Sequence, residues 1–218
     1  MSRAAGRGTV PSRAQQLALA KKRRLLLYLS LAMLALVAIV AVAVASRTPK
    51  TASDAPVLAP LKVGDKAPEF AVATTAGPFD LAQPGGKPTL LEVFATWCPH
   101  CQRETAVMNA LYDKFGKTVN IVAVSGSQYS SDESSPESQA DVVDFGTKFN
   151  VRYPLAFDSN LDVANKYLQG GFPTIVLIGP DGNVKAISSG EVPLANISSA
   201  LQSILAGKPV KPDFASQP

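Results

Sequence analysis

Between Pro88 and Gly126 the hydrophobic period of the chain changes twice, and this alternation limits the fold more than any other feature. "PTLLEVFAT" (Pro88–Thr96) is a short apolar run that suits a buried central strand. Pro99 then opens a helical pattern, because proline is favoured at the first helical position. Val107, Met108, Leu111, Tyr112 and Phe115 recur at three- and four-residue spacing until Gly116 stops the helix. "TVNIVAVSG" (Thr118–Gly126) returns to a strand pattern. Downstream the pattern predicts a helix over 136–150 with Val142, Val143, Phe145 and Phe149 inward, and a second helix over 159–168. Two strands, "TIVLIG" and "VKAIS", follow around the turn signal Pro180-Asp181-Gly182-Asn183, and a last helix from Leu194 to Leu205 ends at Gly207. Upstream, "EFAVATTAGPFDL" alternates as a short hairpin does. This order predicts an α/β fold, a mixed central sheet with helices on both faces. Residues 125–138, "SGSQYSSDESSPES", hold seven serines and read as a solvated connector.

The first sixty residues lie outside that pattern. Leu25 to Ala45 is a run of 21 residues without a charge, about 30 Å long as a helix, the thickness of a bilayer's hydrocarbon core. Lys21-Lys22-Arg23-Arg24 stands directly before it, and a basic flank stays cytoplasmic, so the chain beyond Ala45 is expected outside the cytoplasm. Ala43-Val44-Ala45 also fits a signal-peptide cleavage site, which would release the rest as a secreted domain. The expected organisation is a basic tail (1–24), a transmembrane anchor or signal peptide (25–45), a Pro- and Ala-rich linker (46–60), the folded domain (61–208) and a flexible tail (209–218). Before Asp54 there are nine Lys or Arg and no acid; after it, twelve basic and seventeen acidic residues leave a net of −5. That distribution argues against nucleic-acid binding, which needs a basic face on the folded domain itself.

Both cysteines and the only histidine fall within Cys98-Pro99-His100-Cys101, at the junction of the first strand and its helix. A structural zinc site closes with four ligands, usually from two separated pairs, and the second pair is missing. A disulfide across two residues closes too small a loop to gain much entropy. Redox chemistry uses this spacing better. With Pro99 opening the helix, Cys98 is its cap, and the positive end of the helix dipole favours the thiolate by roughly 0.3–2 kcal/mol. Cys101 lies on the same face, more buried, within bonding reach of Cys98. The expected arrangement is one exposed nucleophilic thiol and one that resolves a mixed disulfide. His100, between them, is either solvated or a stabiliser of the thiolate.

"FATWCPHC" after a buried strand and before a helix resembles the Trp-Cys-x-x-Cys motif of the thioredoxin superfamily, and the order of elements from about Pro68 to Gly207 fits it too. The anchor and the additional segment between "IVAVSG" and "GGFPTIVLI" are similar to the membrane-anchored TlpA/ResA-like branch of exported thiol–disulfide oxidoreductases. The resemblance implies a thioredoxin-like fold with a redox-active Cys98–Cys101 disulfide and no further cofactor or metal. It implies that Pro173 follows a cis bond and that Trp97, Phe172 and Pro173 meet the substrate. Glu92, six residues before Cys98, then matches the family's buried acid and would take the proton of Cys101; its other reading is a glutamate on the solvent side of the strand. The Pro99-His100 pair is similar to that of strongly oxidising disulfide-forming enzymes, so the direction of electron flow is open. The partners implied are cysteine-bearing exported proteins, a membrane redox protein that resets the disulfide, and the lipid bilayer through Leu25 to Ala45. Two other functions compete. A peroxiredoxin-like peroxidase would need a Pro-x-x-x-Thr-x-x-Cys motif, but Thr96 stands two residues before Cys98, not three. An exported copper carrier of similar fold would carry Cys-x-x-x-Cys and a distant histidine, neither of which is present.

Overall fold

The computed structural model describes Lys21, Met33, Leu34, Leu36, residues 60–130 and 135–211, and Phe214. The chain divides into two units, Met1–Val57 and Leu58–Pro218. In the first, the four described residues are helical, and Met33, Leu34 and Leu36 are exposed. The rest of the expected span Leu25–Ala45 lies outside the described residues, as does the linker up to 59. Among the described residues no helix is long and apolar enough to cross a membrane.

The second unit is built on a seven-stranded sheet of order β2-β1-β5-β4-β3-β6-β7. Its strands are β1 (Ala71–Thr74), β2 (Gly77–Asp80), β3 (Thr89–Phe94), β4 (Asn120–Ser125), β5 (Leu155–Phe157), β6 (Thr174–Ile178) and β7 (Val184–Ser189). Strands β3, β4 and β5 run parallel to one another, whereas β6 pairs antiparallel with β3 and β7 with β6. The helices are α1 (Pro99–Phe115), α2 (Gln139–Lys148), α3 (Asp162–Tyr167) and α4 (Leu194–Leu205). The sheet is therefore mixed, as the order of elements predicts, and the fold is thioredoxin-like.

Period-two alternation along β3 assigns its side chains to two cores. Leu90 and Phe94 join Met108, Leu111, Phe145, Ile197 and Leu201 on the side of α1, α2 and α4. Leu91 and Val93 join Val122, Val176 and Tyr167 on the α3 side. Glu92 shares the alternation of Leu90 and Phe94, so its carboxyl faces α1 between strands that pair it with Ala123 and Ile175. All six β3 residues are buried, which removes the solvent-side reading of Glu92.

Several boundaries differ from the sequence expectation. The helix expected over 136–150 is α2, ten residues long, because Ser138 caps it in a reciprocal capping box with Asp141 and leaves Pro136 and Glu137 in the preceding loop. Val143, expected inward, is 47% exposed: Val142 and Phe145, three residues apart, share the buried face, and Val143 stands about 100° round the helix from Val142. The helix expected from 159 starts at Asp162, where the Asp158 carboxylate accepts from the N–H groups of Asp162, Val163 and Ala164. Strand β5, three residues long, carries too little pattern to be read in the sequence. Phe214, within the expected tail 209–218, is buried in the α1-side core, and its carbonyl oxygen accepts from the Asn196 side chain.

Candidate active site

Strand β3 ends in the sheet centre and delivers residues 95–98 to the start of α1. Cys98 N–H donates to Ala95 O at 3.1 Å, and Cys98 O accepts the first helical bond, from Gln102 N–H at 3.0 Å. Cys98 is thus the N-cap, with Pro99 at the first helical position as expected. Its sulfur, however, makes no capping bond to a helix N–H. It points across to the segment before β6, 3.6 Å from Phe172 O. It is also buried, at 5% exposure, where the sequence reading placed an exposed thiol. The residue before it, Trp97, and the residue whose carbonyl it faces, Phe172, meet edge to face with ring centres 6.1 Å apart. The Phe172–Pro173 peptide is cis, and Pro173 O accepts from Gly190 N–H at 2.7 Å.

Cys101 lies deeper, 1% exposed. Burial pushes its thiol far up, and the Glu92 charge adds to that; a backbone hydrogen bond from Ala95 opposes, and a hydrogen bond with Cys98 raises it further. Both cysteines are free thiols. Behind them sits a buried set of ionisable groups. Glu92, 2% exposed, has its carboxyl raised well above the usual range, first by burial, then by the charges of Glu104 and Cys98. Glu104, 1% exposed, is pushed up to about 7 by burial, against a backbone hydrogen bond from Val192. Its Oε1 is buried without a hydrogen-bond partner among the described residues. Tyr153 is raised by burial and by the same two carboxyls and Cys101. Sequence reading missed Glu104, although a signal existed: Cys101, Glu104, Thr105 and Met108 fall at the helical spacing of one inward face.

The loop expected to be a solvated connector is instead fastened to the site. Glu137, 4% exposed, accepts from the Thr96 N–H at 3.1 Å and the Thr96 hydroxyl at 2.6 Å through Oε1, and from the Ser125 hydroxyl through Oε2. Trp97 Nε1 donates to Ser127 Oγ at 2.8 Å. Nothing in the local sequence marks Glu137, since its partners lie 41 and 12 residues away. His100 is half out of the protein, its side chain 61% exposed, with Nδ1 2.6 Å from Glu191 Oε1. The structure therefore brings Trp97, Cys98, Pro99, His100, Cys101, Phe172, Pro173 and Glu92 around one sulfur pair and adds Glu104, Glu137 and Glu191.

A sulfur pair at the start of a helix, with a peptide carbonyl opposite and acids behind, is a geometry for exchanging disulfides. Comparison with known proteins gives the same chemistry. A family model described as the AhpC/TSA family matches residues 63–187. The thiol-disulfide oxidoreductase ResA of Geobacillus thermodenitrificans is 33% identical over 144 residues, 65% of this chain and 78% of that protein. The ResA of Bacillus cereus is 30% identical over 146 residues, 66% of this chain and 79% of that protein. Among solved structures, a Chlorobium tepidum protein described as a thiol:disulfide interchange protein DsbE superposes with a TM-score of 0.56 at 29% identity, over 67% of this chain and 97% of that one. The chain belongs to the AhpC/TSA family and stands among its ResA-like thiol–disulfide oxidoreductases.

Proposed function

We propose that this enzyme works outside the cytoplasm, held to the membrane by Leu25–Ala45, and exchanges its Cys98–Cys101 pair with cysteines of exported proteins. The observation that carries the reading is the placement of Cys98 Sγ, 3.6 Å from the carbonyl oxygen of Phe172, whose ring meets Trp97 edge to face. A partner chain lying along Phe172 and Pro173 would bring its own sulfur to that point.

The exchange runs through one mixed disulfide. The Cys98 thiolate attacks one sulfur of a partner disulfide; that S–S bond breaks, and the partner's other sulfur leaves as a thiolate and takes a proton. Cys101 must then lose its proton, which its burial resists. The Glu92 carboxylate, itself a strong proton acceptor because it is buried, takes it. The Cys101 thiolate attacks Cys98 Sγ, the protein disulfide closes, and the partner departs with both sulfurs reduced. Two electrons have passed from enzyme to partner. Run backwards, the same steps oxidise a dithiol. A reduction potential near about −270 mV assigns the enzyme as a reductant and one near about −120 mV as an oxidant. A second membrane redox protein would reset the pair.

The peroxidase reading gains no support from the site, because the Thr96 hydroxyl is committed to Glu137. Trapping tests the proposal. Cys101→Ser should accumulate mixed disulfides with exported proteins, and Cys98→Ser should accumulate none. Equal trapping by the two variants would remove Cys98 as the nucleophile.

A further inference from the structure

The loop from β7 to α4 spans both halves of the site. Gly190, at φ +91°, donates its N–H to Pro173 O, and Val192 hydrogen-bonds through its backbone to the Glu104 carboxyl. Between them Glu191 reaches the first turns of α1. Its Oε1 accepts from Arg103 Nη2 at 2.5 Å and Nε at 3.1 Å, and lies 2.6 Å from His100 Nδ1. Arg103 Nη2 is also 2.8 Å from that same Nδ1. One ring nitrogen cannot donate to Glu191 and accept from Arg103 together. The carboxylate oxygen is the nearer neighbour, and on that ground we assign the proton to Nδ1, donated to Glu191. The Arg103 hydrogen bond, and then that of His100, hold the Glu191 carboxyl below the usual range against some desolvation, so it is an anion at neutral pH. The Arg103 guanidinium also attracts the charge of Cys98.

We infer that Glu191 is a positioning residue that sets the redox poise of the Cys98–Cys101 pair, by neutralising the Arg103 guanidinium and holding the His100 ring in the first turns of the helix that Cys98 caps. The inference rests on the disulfide-exchange reading above. In the equilibrium concerned, two glutathione thiols give two electrons and two protons to the protein disulfide. The Cys98–Cys101 bond breaks and a glutathione disulfide forms. Only the reduced protein can place a negative charge on Cys98, so nearby cations favour the reduced side and a counter-anion works against them. Glu191→Gln keeps an acceptor for Arg103 but deletes the negative charge, and should make the disulfide more oxidising. Because His100, Arg103 and Glu191 side chains are 61%, 57% and 31% exposed, water and salt screen the effect.

The experiment equilibrates the full chain in detergent micelles with glutathione buffers at pH 7 and reads the dithiol fraction by alkylation gel shift. Glu191→Gln should raise the equilibrium constant for reduction at least threefold, about 14 mV at 29.6 mV per decade. Arg103→Gln should lower it, and in that background Glu191→Gln should lose at least half its effect. In 1 M salt, where the screening length is about 3 Å, the variants should converge. A role confined to folding stability would produce neither the partner dependence nor the salt convergence. An unchanged constant in Glu191→Gln, a shift the other way, or an equal shift without Arg103 would overturn the inference and leave the exchange reading standing. A wild-type protein that does not exchange with glutathione at all would remove the reading itself, and the inference with it.

Discussion

Glu92 and Glu104 both place a carboxyl where the packing calls for an apolar side chain, and both hold their protons more tightly for it. For Glu104 the consequence for stability has a definite sign. Burial pushes its carboxyl up to about 7 in the fold from an ordinary value of 4.5, so between those pH values the folded chain binds more protons than the unfolded one. Stability is then full below the unfolded value and falls as pH rises through the folded one, by about 3 kcal/mol at about 1.36 kcal/mol per unit. Glu104→Gln should flatten this decline: its advantage over wild type in urea unfolding should grow by about that amount from pH 4.5 to pH 8. A pH-independent difference between the two proteins would show that Glu104 does not titrate in this range. Glu92 calls for a kinetic measurement. Glu92→Gln should prolong mixed disulfides at neutral pH, because Cys101 has lost its proton acceptor. Raising the pH should relieve the delay, since hydroxide can then take the proton. Release at the wild-type rate would leave Glu92 no part in the transfer.

The loop between β4 and α2 acts as a structural element even though it has no regular structure, because Glu137 gathers three donors from two other segments. Removing that carboxylate leaves the Thr96 N–H and hydroxyl without this acceptor and the Ser125 hydroxyl with only the longer contact to Phe94 O, and buried groups left unpaired cost about 1–3 kcal/mol each. Glu137→Ala should therefore lower stability by roughly 2–4 kcal/mol and speed hydrogen exchange at the Thr96 amide, two residues before the nucleophile. An unfolding midpoint equal to wild type would show the contacts to be dispensable. This loop also marks where sequence reading stops. Strand β3, helix α1 and the cysteine pair were legible because each rests on a local signal: an apolar run, a proline at the first helical position, a fixed spacing. The burial of Glu92 follows from period-two alternation once Leu90 and Phe94 are taken as inward. Glu137, Glu191 and the buried Cys98 depend on segments tens of residues away, which no local pattern encodes. Seven serines signal a loop but carry no information about what the loop docks against.

At the scale of the molecule, charge and hydropathy divide the chain into parts with different physical tasks. All nine basic residues before Asp54 lie in a segment without acids, while the rest carries a net of −5. Such a basic segment could hold a protein to anionic lipid electrostatically, at about 1 kcal/mol per Lys or Arg, and that attraction is screened away in high salt. A 21-residue uncharged run inserted in the bilayer is held by apolar burial instead, which salt does not weaken. The two modes separate in one fractionation. Membranes washed in 1 M salt should keep the protein, and detergent should release it. Protease added outside intact spheroplasts should then digest the folded domain, since the proposed topology puts the basic flank at the cytoplasmic end. Release by salt alone would reduce the N-terminal segment to a peripheral contact. A soluble mature chain beginning at Ser46 would show cleavage after Ala45, making the run a signal peptide and the oxidoreductase a secreted one.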